Sequence, residues 1–139
     1  MKTALNLSEE TDLFFEKYWN IPDQHPPQWS DHWNFNSSIP NHDKRGCYAL
    51  FDNKTIVYIG SGIGKSTERY LNHGLGDRLK RYWRRNTLHS SNKYMPTENW
   101  KEITSISTIG FPNEHYSLAA ALEIYLISKI KPARNALHK

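Results

Sequence analysis

The sequence predicts a mixed α/β domain of the α+β kind, in which a β-hairpin and a third strand are flanked by helices. Three observations carry that prediction. Two runs of strand-forming residues flank the turn Asp52-Asn53-Lys54, residues 103–109 alternate apolar and hydroxyl side chains, and helical apolar patterns stand near both ends of the chain. The 139 residues suffice for one hydrophobic core and are too few for two ordinary domains. With 37% hydrophobic residues, five Trp and eight Tyr, the composition excludes disorder throughout.

Ser8, followed by Glu9, Glu10 and Thr11, reads as a helix start, and Leu13, Phe14, Phe15, Tyr18 and Trp19 continue the helix to near Asn20. Residues 21–41 change to prolines, polar residues and the rings of Trp29, Trp33 and Phe35. Such an arm is expected to wrap on a core, because a free linker rarely carries so many large rings. Residues 47–51 and 55–59 form the expected hairpin. A short helix over 65–72 and a stronger one over 75–85 follow, separated by Gly74, and residues 86–100 read as a polar loop. The third strand is expected over 103–109, and Ser117 caps a last helix running to about Lys129, stopped by Pro132. Residues 1–45 thus form an N-terminal helix and arm packed on a core domain of residues 46–139.

Charge is distributed unevenly. The net charge is +4, but the first 45 residues carry −3 and the remainder +7. A basic body suits a polyanion such as DNA, since each phosphate neutralised by Lys or Arg releases counterions. Cys47 is the only cysteine, which excludes an intramolecular disulfide and a cysteine-based zinc site and fits a reducing compartment. The first 13 residues have no long apolar run, so neither a secretory signal nor a membrane span is expected there, and the expected location is the cytoplasm.

The stretch Gly60-Ser61-Gly62-Ile63-Gly64-Lys65-Ser66-Thr67 looks like a phosphate-binding P-loop but fails on spacing. Three residues separate Gly60 from Gly64, where that loop needs four before its Gly-Lys pair. The hairpin carries a better signal. Gly46-Cys47-Tyr48 opens one strand and Tyr58-Ile59-Gly60 closes the other. Taken alone, such tyrosines are ordinary rings packed across a sheet. A three-residue loop over 52–54 would set Tyr48 opposite Tyr58, whereas a two-residue loop would pair Tyr48 with Ile59.

These two motifs resemble the GIY and YIG signatures of the GIY-YIG nuclease superfamily, with Cys47 in place of the usual Ile. The resemblance extends downstream in order. Arg78 with Tyr82 matches the family's phosphate-binding arginine and the His or Tyr four residues after it. Arg69 with His73 has the same spacing, and the longer, more amphipathic helix favours Arg78. Glu123, the one acid in an apolar helix, needs a partner, which is a salt bridge in an ordinary protein and a metal ion in the family. Asn135 after Pro132 matches the family's closing Asn. The matches cover residues 46–135.

The resemblance implies a compact sandwich of three antiparallel strands with helices packed on them, and a DNA endonuclease hydrolysing phosphodiester bonds. It implies one Mg²⁺ or Mn²⁺ ion per site on Glu123, phosphate held by Arg78, and water activated or held in line near Tyr48 with Tyr58 orienting the group. A tyrosine base would need its pKa depressed below the free value of about 10. Lys80, Arg81, Arg84 and Arg85, continuing the arginine helix, are expected to track the DNA backbone together with Lys65, Arg69 and His73. One site nicks one strand, so a double-strand cut would take a homodimer or two events. A catalytically silent DNA-binding module of the same fold, or a repair nuclease selecting DNA structure, are the alternatives.

Overall fold

Strand β1 (Arg45–Asp52) is buried along nearly its whole length because both of its edges and both of its faces are occupied. In a computed structural model of the chain, describing residues 2–63, 74–87 and 92–136, it pairs antiparallel with β2 (Thr55–Gly62) on one side and β5 (Ser105–Phe111) on the other. The architecture is mixed α/β, a three-stranded antiparallel sheet with three helices. Among the described residues, no helix is long and apolar enough to cross a membrane.

Alternation along β1 sends Cys47, Ala49 and Phe51 to one face, where they meet Leu7, Phe14 and Phe15 of α1 (Ala4–Tyr18) and Leu122 and Leu126 of α3 (Ser117–Ile130). Tyr48 and Leu50 point the other way, against Trp33, Phe35 and Ile39 of the arm and Leu75 and Leu79 of α2 (Leu75–Leu79). The sheet is therefore a middle layer with two apolar faces.

Its outer edges are closed by irregular chain. Along β5, the arm exchanges Trp33 and Ile106 backbone hydrogen bonds of 2.8 and 2.9 Å, and the Ser30 N–H donates to the Thr108 carbonyl at 2.7 Å. The hydroxyls in this strand serve the arm as well. Thr108 Oγ1 donates to the Pro40 carbonyl at 2.8 Å and Ser107 Oγ to the Ser30 carbonyl at 2.7 Å. Along β2, the Arg134 N–H donates to the Val57 carbonyl, and the Asn135 side chain bonds both the N–H and the carbonyl of Ile59, at 2.9 and 2.8 Å. Neither edge is left as an open template for another strand.

Several boundaries differ from the sequence expectation. Helix α1 begins at Ala4, because Thr3 is the N-cap and the Asn6 side chain accepts its backbone N–H at 2.9 Å. The expected helix over 75–85 stops at Leu79. After a turn, Trp83–Arg85 becomes strand β3, paired antiparallel with β4 (Tyr94–Pro96) inside the stretch expected as loop. Packing overrides helix propensity there, since as strand residues Trp83 and Tyr94 stand 4.6 Å apart and Trp83 meets Trp33 at 5.7 Å. Strand β5 lies two residues later than expected, and Ser117 is the first helical residue of α3, with Tyr116 as its cap. The expected helix over 65–72 lies outside the described residues.

Trp33 joins the arm both to the edge of β5 and to the core. Trp33→Ala should destabilise the chain by about 3–5 kcal/mol in urea unfolding, whereas Leu5→Ala, on the exposed side of α1, should change it by less than about 0.5 kcal/mol.

Candidate active site

The hairpin register decides which tyrosines meet. Asn53, with φ of 55°, and Lys54 form a two-residue turn, so Asp52 faces Thr55 and Phe51 faces Ile56. Continued unchanged, this register would oppose Tyr48 to Ile59 and send Tyr58 to the wrong face. A bulge at Val57 shifts it by one residue, so Leu50 faces Tyr58 and Tyr48 faces Gly60. Tyr48 and Tyr58 thus share a face diagonally, with ring centroids 6.3 Å apart, and are not directly opposite. Gly60 is required by close approach: a Cβ there would stand 2.4 Å from the Tyr48 hydroxyl oxygen.

Tyr82 joins them from the turn after α2. Its Oη lies 2.7 Å from the Tyr48 Oη, and its ring is 6.2 Å from Tyr58. Trp100 closes the group edge-on, 5.3 Å from Tyr58 and 4.9 Å from Tyr82. Arg78 of α2 donates a hydrogen bond to the Tyr48 oxygen while its side chain remains largely exposed. It lies against Gly62 at the end of β2.

Burial pushes the Tyr48 phenol above its ordinary pKa, and the hydrogen bonds from Tyr82 and Arg78 offset this only in part. Tyr82 is pushed higher still, by burial first and then by the neighbouring Tyr48. Burial acts first on the Arg78 guanidinium and in the lowering direction, but the Tyr48 hydrogen bond together with the Tyr48, Tyr82 and Tyr58 oxygens outweighs it and raises its pKa. Tyr48 is 0% exposed and its proton is held more tightly than in water, the reverse of what a base needs. The partly exposed tyrosine is Tyr58.

Glu123 approaches from the other face of the sheet. Its half-buried carboxylate accepts a hydrogen bond of 2.8 Å from Ser61 Oγ, and among the described residues it makes no ion pair with Lys or Arg. The Cys47 thiol nearby is raised well above its ordinary pKa by burial and then by the Glu123 charge, and it donates to the Ala119 carbonyl at 3.0 Å. It is a core residue rather than a nucleophile. Among the described residues, no three His, Cys, Asp or Glu side chains cluster as a metal cage.

One cleft unites the two faces. Tyr58, Glu123, Ile127, Pro132 and Asn135 line a cavity of about 560 Å³ along the outer edge of β2. Asn135 fixes the Ile59 backbone between Tyr58 and Gly60. Arg134 supports this closure through the Trp100 ring at 3.6 Å and Glu102 at 2.6 Å. The Glu102 carboxyl sits below its ordinary pKa: partial burial opposes this, and its own backbone N–H and Arg134 outweigh it.

The structure therefore brings Tyr48, Tyr58, Arg78 and Tyr82 together, and Tyr58 with Glu123 and Asn135. Lys80, Arg81, Arg84 and Arg85 are exposed but do not continue a helix: the first two stand in a turn and the last two on β3. Lys80 pairs with Asp77 at 3.5 Å. Lys65, Arg69 and His73 lie outside the described residues. Sequence reasoning missed Ser61 and Trp100. Ser61 was legible in principle, because it falls two residues after Ile59 on the α3 side of β2. Comparisons of the chain with protein-family models, curated proteins and solved structures find no match.

Because the folded chain holds the Tyr48 and Tyr82 protons above the ordinary value of about 10, their contribution to stability is complete below that pH. It is lost as pH rises through the folded-state values, since the unfolded chain ionises first. The melting temperature should fall from about pH 10 upward, and less steeply in a Tyr48→Phe/Tyr82→Phe double variant. An equal fall in both proteins would count against a buried hydroxyl pair.

Proposed function

We propose that this chain is a metal-dependent DNA endonuclease of the GIY-YIG type, hydrolysing phosphodiester bonds in the cleft along β2. The observation that carries the reading is Tyr58. It lines one cavity with Glu123 and Asn135 while its ring lies against Tyr48 and Tyr82, the group to which Arg78 is bonded. The residues that match the nuclease motifs in sequence thus surround the end of one strand from two faces.

Hydrolysis of a phosphodiester requires an in-line water, positive charge at the phosphate and stabilisation of the leaving oxygen. Arg78, cationic and exposed beside Gly62, holds the phosphate and offsets charge as it builds on the equatorial oxygens. Tyr58 holds the water in line. Tyr48 and Tyr82 act behind it as protonated groups that fix Arg78 and the Tyr58 ring. Attack on phosphorus breaks the bond to the 3′ oxygen, leaving a 3′ hydroxyl and a 5′ phosphate. Asn135 keeps the Tyr58-Ile59-Gly60 backbone in place and touches no reacting atom.

The cleft fits a hard cation. Glu123 offers carboxylate oxygen, with one oxygen already oriented by Ser61, and a single carboxylate suits an ion that keeps most of its water. Mg²⁺ or Mn²⁺ on Glu123 would supply positive charge at the phosphate and the leaving oxygen. The exposed Lys80, Arg81, Arg84 and Arg85 give the DNA backbone a basic approach beside Arg78.

Supercoiled plasmid with Mg²⁺ or Mn²⁺ should be nicked by the wild-type chain and left intact with EDTA. Glu123→Ala and Arg78→Ala should each lower the rate by at least about 100-fold with unchanged melting curves. DNA binding without cleavage under every metal condition would identify a silent binding module instead.

A further inference from the structure

The arm closes one edge of the sheet but has no part in the chemistry above. At its far end it builds a second concavity. Ser37, Ser38 and His42 of the arm, Lys80 after α2, and Trp83 and Tyr94 of the β3–β4 ribbon line a pocket of about 240 Å³. Its walls are tied together by backbone. The Tyr94 N–H donates to the Phe35 carbonyl at 2.8 Å, the Trp33 indole to the Ser37 carbonyl at 2.9 Å, and the Gly76 N–H to the His42 carbonyl at 2.9 Å.

The lining is chemically divided. Trp83 and Tyr94, 4.6 Å apart, form an aromatic wall, while two hydroxyls, an imidazole and an ammonium form a polar rim. Asp77 also borders the pocket, in an ion pair with Lys80 at 3.5 Å. Both side chains of that pair are well exposed, so it is weak and open to competition by a phosphate. Residues 78–87 carry five Lys or Arg and no acid.

An aromatic wall facing a cation and hydroxyls matches a nucleotide, with the base on the rings and the phosphate on the ammonium. Lys80 follows Arg78 by two residues, and at that spacing the two side chains stand on different sides of the helical turn, Lys80 with Gly76 and Asp77 at the pocket and Arg78 at the tyrosine group. A base paired within a duplex could not enter it without leaving the stack. We infer that this pocket binds one unpaired nucleotide of the substrate strand, outside the cleft where cleavage is proposed, and so directs the chain to DNA carrying a single-stranded segment. The inference rests on the nuclease reading above.

The test is fluorescence anisotropy of the full chain in EDTA with two labelled probes, a blunt DNA duplex and the same duplex with a single-stranded extension. The extended probe should bind about tenfold more tightly. Ser38→Glu, which puts a negative charge on the rim at an exposed position, should remove that preference and leave blunt-duplex affinity within about threefold. Lys80→Ala should also remove the preference. Equal binding of both probes by the wild type, or a preference that survives both substitutions, overturns the pocket assignment even if plasmid is cleaved. Failure to bind either probe, together with failure to cleave plasmid, overturns the nuclease reading and this inference with it.

Discussion

Everything at the site depends on the bulge at Val57. A two-residue turn and an unbroken ladder would put Tyr58 on the α1/α3 face, in the place of Ile59, and would leave Tyr48 without its neighbour. The extra residue restores the parity. It puts Val57 and Tyr58 in succession against the arm-side core while Ile56 and Ile59 remain on the helix side. The same shift sets Gly60 beneath the Tyr48 ring, where a side chain has to be absent.

The bulged strand is also an edge strand, and its closure and the site are one construction. Arg134 and Asn135 satisfy backbone groups of Val57 and Ile59 that would otherwise face solvent, and the segment that does so lines the cleft. Asn135 succeeds here because a carboxamide carries a donor and an acceptor side by side, as a strand residue does. Because the site lies on an edge, groups from both faces of the sheet reach it: Glu123 from α3 and the tyrosine group from the arm side.

The electrostatic character of that group follows from where the rings are. Tyr48 and Tyr82 are sealed in the core, so they serve as neutral hydrogen-bonding partners, and the only charge among them is the guanidinium of Arg78, whose exposed end meets solvent. A cation held by uncharged oxygens is suited to an anionic ligand, and among the described residues no carboxylate forms an ion pair with Arg78.

Much of this was legible in the sequence, and the reason is local. Strand alternation, a turn of Asp, Asn and Lys, an apolar helix with one acid, and a Pro after it are short-range patterns whose physics acts within a few residues, so the hairpin, β5 and α3 could be placed, while Tyr48, Tyr58, Arg78, Glu123 and Asn135 were singled out by their ordered resemblance to the nuclease motifs. What the sequence could not determine depends on distant partners. The helix expected over 75–85 ends at Leu79 because Trp83 packs on Trp33 and Tyr94, from two other segments. The hydroxyls of β5 face an arm nearly 70 residues earlier in the chain, and the raised pKa of Tyr48 reflects how completely it is enclosed, which no residue type encodes. Sequence by itself determined which side chains were available and roughly which elements carry them; the tertiary structure alone decided register, enclosure and which faces meet at the β2 edge, because those are set by packing between segments far apart in the chain.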